Sequence, residues 1–380
     1  MPSMPNAVRP WIQRILLVLF GLIFSLLLSE VCLRIWTPSS LLYKQVRQSD
    51  PILHHSFKPS AWYIERKEEF EVEVRTNSLG LRDREYGQEI AGAFRIIVLG
   101  DSFTEGVGVD LDSTYPKQLE DALNVLSGNH KFVVFNFGIA GYSPILEYLI
   151  LEQKGMALHP DLVILSYDMT DVQEDVLYAE DAVFDSTGAP IRVNPSLPDF
   201  GQATRFPRGA FKTFLQENLF TYPLVVNAFE RTNTPSLLER GNIHASRFTH
   251  TIDSTAEPWK QYFDQSESYV KLIHHLCSRN NIRFLLSVFP RGHQVNALEW
   301  VEGRKYWGLD STVVNSAIFS SLAHFAQMEG MHYLDMTLAF RSRSHGELYY
   351  PVDGHWTAAG HRVAADTLLR FLLDKHLIDN

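Results

Sequence analysis

From Phe94 onward, short runs rich in Val, Ile, Leu and Phe alternate with longer stretches of helical period, and this alternation constrains the fold more than any other feature of the chain. Runs at 94–99, 132–135, 162–165, 283–289 and 332–335 read as strands. Stretches at 115–126, 144–154, 258–278 and 313–329 read as helices between them, with Pro144 well suited to a first helical turn. Apolar strands separated by helices form a parallel sheet covered on both faces. The interval 172–256 interrupts the pattern. It is rich in Pro, Asn, Thr and Phe, with one helix expected near 215–229, and reads as an insertion or lid where substrate preference is set.

Open α/β sheets bind ligands just beyond the carboxyl ends of their strands. The first run ends in Gly100-Asp101-Ser102, which puts a serine hydroxyl at that edge. The triplet is equally an ordinary turn and helix N-cap signal, so it gains meaning only with partners. A serine needs an imidazole to take its proton, and the imidazole needs an acid on its other nitrogen. Both occur in Tyr349-Tyr-Pro-Val-Asp-Gly-His-Trp-Thr-Ala-Ala-Gly-His361. In an extended loop, residues two apart project to the same side, so Asp353 reaches the ring of His355. Thr357 caps the helix that follows, whose apolar face carries Ala364, Leu368, Phe371 and Leu372. His361 falls inside that helix and reads as a surface residue rather than a base.

Gly100-Asp101-Ser102 near the start and Asp353-Gly-His355 near the end resemble the SGNH/GDSL hydrolase superfamily, over roughly 94–378. The resemblance implies an α/β, flavodoxin-like three-layer sandwich with a central parallel sheet. It also implies Ser102 as nucleophile, His355 as base and Asp353 as the acid that orients it. The glycine block of the family is similar to Asn136-Phe-Gly-Ile-Ala-Gly-Tyr-Ser143, which implies Gly141 as an oxyanion donor and leaves Gly138 as a turn glycine. The asparagine block is similar to Ser166-Tyr-Asp-Met-Thr-Asp171, with Thr170 standing where the family has asparagine. The implied oxyanion hole is therefore the N–H groups of Ser102 and Gly141 with the shorter hydroxyl of Thr170. Asp171 takes the part of a loop-stabilising carboxylate. Asp353-Gly-His355-Trp356 is shorter than the common Asp-x-x-His, and resembles the signature of enzymes that O-acetylate bacterial exopolysaccharides. The literal string Ser127-Gly-Asn-His130 lies between a helix and a strand and matches none of these blocks.

The resemblance implies a serine esterase, or O-acyltransferase, working through an acyl-serine on acetyl esters of envelope or secreted glycans. A lipase or lysophospholipase at the membrane surface is the nearest enzymatic alternative. A glycan-binding or assembly component that has lost the reaction is the alternative of another class, and the Thr170 departure is what would mark it. No cofactor is implied, and a membrane acyl-transfer partner suits the transferase form.

The N-terminal region carries its own signal. Residues 11–36 are dominated by apolar side chains, with an uncharged core at 15–29 preceded by Arg9 and Arg14. Flanking apolar residues extend it to the roughly 20 that a bilayer requires, and Trp11 and Trp36 suit the two interfaces. No small-x-small site ends the run, which favours an uncleaved signal-anchor over a cleaved signal. The basic flank then orients the bulk of the chain outward from a bacterial cytoplasmic membrane. The organisation expected is 1–37 tip and transmembrane anchor, 38–92 stalk and small β-rich subdomain, and 93–380 catalytic domain. In the second segment, Phe70-Glu-Val-Glu-Val-Arg75 alternates as a half-exposed strand, and Asn77-Ser-Leu-Gly-Leu-Arg82 reads as a turn and a short extended piece. Arg82 either binds a substrate carboxylate or pairs with Asp83 or Glu85.

A net charge of −10 argues against nucleic-acid partners, and 45% hydrophobic residues allow a sizeable core. Cys32 and Cys277 are the only cysteines, one of them in the anchor, so neither a staple nor a Cys/His metal cluster is expected. Asp171, Glu174 and Asp175 match no metal spacing and read as a solvated acidic turn. Arg291 and His293 follow a strand end at the active edge, and read either as substrate contacts or as part of a mobile surface loop.

Overall fold

The structure is a computed structural model, and it describes residues 10–35, 46–87, 90–128, 131–194, 259–306 and 317–378, with single positions at 215, 219, 221, 222 and 309. Five strands form the central sheet: β5 (Phe94–Gly100), β6 (Phe132–Gly138), β7 (Leu162–Tyr167), β10 (Arg283–Val288) and β11 (His332–Asp335). The numbers not used here belong to short antiparallel pairs, β1 (Arg47–Asp50) with β2 (His54–Phe57), β3 (Trp62–Arg66) with β4 (Glu71–Arg75), and β8 (Ala182–Phe184) with β9 (Pro190–Val193). Every pairing in the central sheet is parallel, in the order β11-β10-β7-β5-β6. The order reverses at β5, since the chain steps one way to β6 and then returns past β5 to β7. That switch point lies between β5 and β7, and the carboxyl ends of such strands are the general ligand position of open α/β sheets.

The central strands are apolar on both faces because helices cover both. Ile96 and Val98 pack into a buried cluster with Tyr115, Leu119 and Leu123 of one helix (Tyr115–Leu126) and Leu368 and Leu372 of the C-terminal helix (Ala358–Asp374). On the other face lie Pro144–Ile150, which continues through a wider turn to Gly155, and Trp259–Arg279. Helix Ala317–Met328 precedes β11. This is the architecture the alternation of strands and helices calls for. The helix expected at 313–329 is described from residue 317, and the helix expected near 215–229 lies largely outside the described residues.

Helix Pro10–Ile35 is long and apolar enough to cross a membrane. Near its end, Glu30 pairs with Arg34 one turn on, at 3.0 Å, and accepts the N–H and hydroxyl of Thr221 at 3.0 Å each. This helix belongs to one compact unit, and the sheet belongs to another.

Residues 46–87 fall in the same compact unit as the sheet. Buried polar contacts tie them in. The Arg47 guanidinium bonds both carboxylate oxygens of Glu105 at 2.7 Å. Arg82 is 1% exposed and donates to the carbonyls of Glu105, Gly106 and Val109. It therefore neither faces a substrate nor pairs with Asp83 or Glu85. The carbonyls at the end of a short helix have no partners within it, and a buried guanidinium satisfies them.

Candidate active site

The serine turn is built from its own neighbourhood. β5 ends at Gly100, and Asp101 caps a single helical turn, Ser102–Glu105, by accepting the Phe103 N–H at 2.9 Å. A Cβ on Gly100 would lie 2.0 Å from Thr104 Oγ1, so only glycine permits the turn to fold back on the strand. Thr104 is held in turn by the Tyr115 hydroxyl at 2.8 Å, which reaches Ser166 at 2.6 Å. Ser102 stands at the start of this turn, where backbone N–H groups have no helical acceptor.

The loop carrying Asp353 and His355 closes on this serine. His355 Nε2 lies 2.8 Å from Ser102 Oγ, and His355 Nδ1 is hydrogen-bonded to Asp353 Oδ1. The other neighbour of the serine hydroxyl, Asp101 Oδ2, is farther away at 3.3 Å. The Asp353–His355 pairing does not come from an extended loop. Gly354 has φ +86, and the Tyr350 N–H donates to the His355 carbonyl at 2.9 Å, so a tight turn brings the two side chains together. A Cβ at Gly354 would also lie 2.5 Å from the Trp300 indole nitrogen. The imidazole rests beside Phe103, which packs in turn against Phe289 and Trp356.

Two residues from the β3–β4 hairpin complete this loop. Lys67 Nζ lies 2.8 Å from Asp353 Oδ2, and Glu69 accepts the N–H groups of Val352 at 2.9 Å and Asp353 at 2.6 Å. Burial works against the Asp353 charge, but His355 and Lys67 outweigh it and hold the carboxyl well below the usual carboxylate range. Nothing in the sequence pointed to either hairpin residue, since they lie almost the whole chain away from their partners.

Strand register brings the loop that carries Gly141 to the serine end of the sheet, because Gly100 pairs with Gly138 and the Ile139 N–H donates to the Gly100 carbonyl at 3.1 Å. Gly138 is not a turn glycine. Its backbone passes so close to the serine turn that a Cβ would lie 2.1 Å from the Glu105 nitrogen. Gly141 itself has φ +82. The peptide joining it to Ala140 is held from one side, where the Ala140 carbonyl meets His55 Nε2 at 3.1 Å. In a trans peptide the Gly141 N–H then points the opposite way. The Ala140 N–H goes to Glu105 at 2.6 Å and the Gly141 carbonyl accepts the Tyr178 hydroxyl at 2.6 Å. His55 Nδ1 is 2.9 Å from His54 Nδ1, and burial lowers the pKa of both rings, which keeps this two-imidazole brace uncharged.

Thr170 does not face the serine as a donor. Its hydroxyl and its N–H both go to Asp168 Oδ1, at 2.6 and 2.5 Å. A hydroxyl has one proton, and here that proton is committed. Asp168 is also paired with Arg291, whose guanidinium lies over the Phe103 ring at 5.2 Å from its centre. Arg291 thus borders the site with its side chain 17% exposed, whereas His293 is fully buried.

The acidic residues after β7 are not solvated either. Asp171 accepts the Asp168 N–H at 2.9 Å, in keeping with a loop-stabilising carboxylate, and Asp175 accepts from Ser266 at 2.6 Å and the Ile145 N–H at 2.9 Å. Both are buried, and burial pushes the Asp175 carboxyl up to about 7. The same cause lifts Asp101, Asp171 and Glu147 well above the ordinary range. His361 is likewise buried, accepting the Tyr115 N–H at 3.2 Å, and burial lowers its pKa to about 3. A helical histidine reads as a surface residue until the neighbouring helix that covers it is known. Among the described residues, no group of three or more His, Cys, Asp or Glu side chains is disposed to hold a metal ion.

No family model and no curated protein matches this chain. Solved structures do. A protein described as lipolytic and of the G-D-S-L family, from Desulfitobacterium hafniense DCB-2, matches at 12% identity and TM-score 0.38, over 73% of this chain and 99% of its own. A catalytic mutant of Axe2, an acetylxylan esterase from Geobacillus stearothermophilus, matches at 14% identity and TM-score 0.39, over 74% of this chain and 95% of its own. LAE5, an alpha/beta hydrolase enzyme from the metagenome of Lake Arreo, Spain, matches at 14% identity and TM-score 0.40, over 77% of this chain and 100% of its own.

Proposed function

We propose that this protein is a membrane-anchored serine esterase or O-acyltransferase that works through an acyl-Ser102 intermediate. The observation that carries the reading is the continuous hydrogen-bonded line from Ser102 through His355 to Asp353, set at the switch point of the sheet. His355 Nε2 takes the Ser102 proton as Oγ attacks the ester carbonyl, and Asp353 stabilises the imidazolium that results. The N–H groups of Ser102 and Gly141 hold the oxyanion, and His355 returns the proton to the leaving alkoxide. Water or a sugar hydroxyl then resolves the acyl-enzyme by the same steps in reverse order. Thr170 acts at one remove, by fixing Asp168 and through it Arg291. Each oxyanion donor typically contributes a factor of about 10²–10³ to kcat, so two backbone donors leave room for a slow but real enzyme.

The preference for acetyl esters of envelope or secreted glycans follows the Asp353-Gly-His355-Trp356 resemblance and the anchor helix. The outward-facing topology in a bacterial cytoplasmic membrane follows Arg9 and Arg14. The full chain in detergent should be labelled by a fluorophosphonate, and Ser102→Ala should abolish the label. A folded wild-type chain that neither labels nor cleaves 4-nitrophenyl acetate would sink the enzymatic reading in favour of a binding component. Release of acetate, against transfer of acetyl to an added oligosaccharide, separates hydrolase from transferase.

A further inference from the structure

The β3–β4 hairpin ends in Lys67-Glu-Glu-Phe70, and its tip meets the acid–base loop and the serine side of the site at one junction. Lys67 closes the hairpin with its own N–H, which donates to the Phe70 carbonyl at 2.9 Å. The Phe70 ring packs on the Tyr350 ring at 5.0 Å between centres, and the Tyr350 hydroxyl reaches the Gly108 carbonyl at 2.8 Å. At this junction the two oxygens of Asp353 have separate partners. Oδ1 meets the His355 ring and Oδ2 meets Lys67 Nζ. Glu69 meanwhile holds the backbone of the same turn through two N–H groups.

We infer that Lys67 is a positioning residue for the triad: it fixes the plane of the Asp353 carboxylate toward His355 and, as a fixed cation beyond it, keeps the imidazole available as a base at lower pH. The inference rests on the proposed acyl-serine chemistry. A carboxylate held by one hydrogen bond can rotate, while one held at both oxygens cannot do so without losing a partner. A positive charge a few ångströms from a base also opposes a second positive charge there. Among the described residues, the groups that face His355 are Asp353 on its own loop, Ser102 and Phe103 on the serine turn with Asp101 behind the serine, Lys67 across Asp353, and the buried His361 of the following helix, near enough for the two rings to interact electrostatically. Lys67 is itself faced by Glu65 at 3.5 Å. The lysine side chain remains 42% exposed, so screening moderates but does not remove its effect.

The test is the rate of fluorophosphonate labelling as a function of pH in the full chain, for the wild type, Lys67→Met and Lys67→Arg. Lys67→Met should move the acid limb up by about half to one pH unit, and Lys67→Arg, which keeps the cation, should restore it. The plateau at alkaline pH should fall less than about tenfold in Lys67→Met. If the methionine variant does not fold, Lys67→Gln keeps a hydrogen bond without the charge and makes the same comparison. An unmoved acid limb, whatever the plateau does, overturns the inference and leaves Lys67 a structural strut. A wild type that fails to label overturns this inference and the acyl-serine reading together, whereas a labelled wild type with an unmoved limb overturns this inference alone.

Discussion

The two loops that meet at the candidate site are secured by opposite means. The start of the serine turn is shaped by residues close in sequence, namely its own strand, its own Asp101 cap and a glycine that lets Thr104 fold onto β5, and only its far end is anchored from a distance, by Arg47 and Arg82. The acid–base turn depends on residues far away, with Lys67 and Glu69 arriving from the first quarter of the chain and Trp300 bounding Gly354. A local device needs only short-range order, while a distant one makes the chemistry depend on the assembled tertiary structure. Both halves can therefore be located from short motifs, but only the serine turn shows in its motif what shapes it.

The sharpest way to break the local half is Gly100→Ala. The new methyl group would meet Thr104 Oγ1 at 2.0 Å, so either the helical turn or the strand end must move. Overpacking of this kind costs about 1–3 kcal/mol, and a shift of an ångström at the nucleophile should lower labelling by roughly 10² or more. A variant that labels at the wild-type rate would show that the turn tolerates what its packing forbids. The distant half is tested by Glu69→Gln, which keeps the shape but withdraws the charge from two backbone donors. Labelling should fall by roughly tenfold and stability by about 1 kcal/mol, read as a lower Tm, with Ser102 itself untouched. The smallest effect is expected from Thr170→Val. Because the Thr170 hydroxyl is spent on Asp168, labelling should stay within about threefold while stability drops by about 1 kcal/mol. A hundredfold loss of labelling there would return the hydroxyl to the oxyanion hole and erase the contrast between direct and indirect donors.

The same contrast governs what could be read from the sequence. The five strands and their order along the chain are legible because each rests on local pattern, namely apolar runs, caps and turn residues, and the same pattern puts Ser102, Asp353 and His355 in turns at the ends of elements. Asp171, Asp175 and His361 were misread as solvated because residue type gives the cost of burial but not the donors that offset it. For Asp175 those donors are Ser266 and the Ile145 N–H, which only the packing of two helices brings near. Gly138 was read as a turn glycine because a close backbone approach leaves the same residue type as a special dihedral angle. Thr170 was placed in the right block, but its rotamer depends on Asp168, which the motif does not mention. The hairpin at residues 62–75 was legible as a strand pattern, and its part in the site was not.

Ser102 and His355 are separated by 253 residues, and Lys67 and Asp353 by 286. Closing such long loops carries a larger entropic cost than closing short ones, and topologies dominated by distant contacts form slowly. A chain that emerges from its amino terminus therefore carries Ser102 long before it carries His355. Throughout that interval the serine is an ordinary alcohol. On the proposed reading, the line from Ser102 to Asp353 exists only once the turn carrying His355 has closed on the serine turn, so the chemistry waits on the meeting of these distant segments.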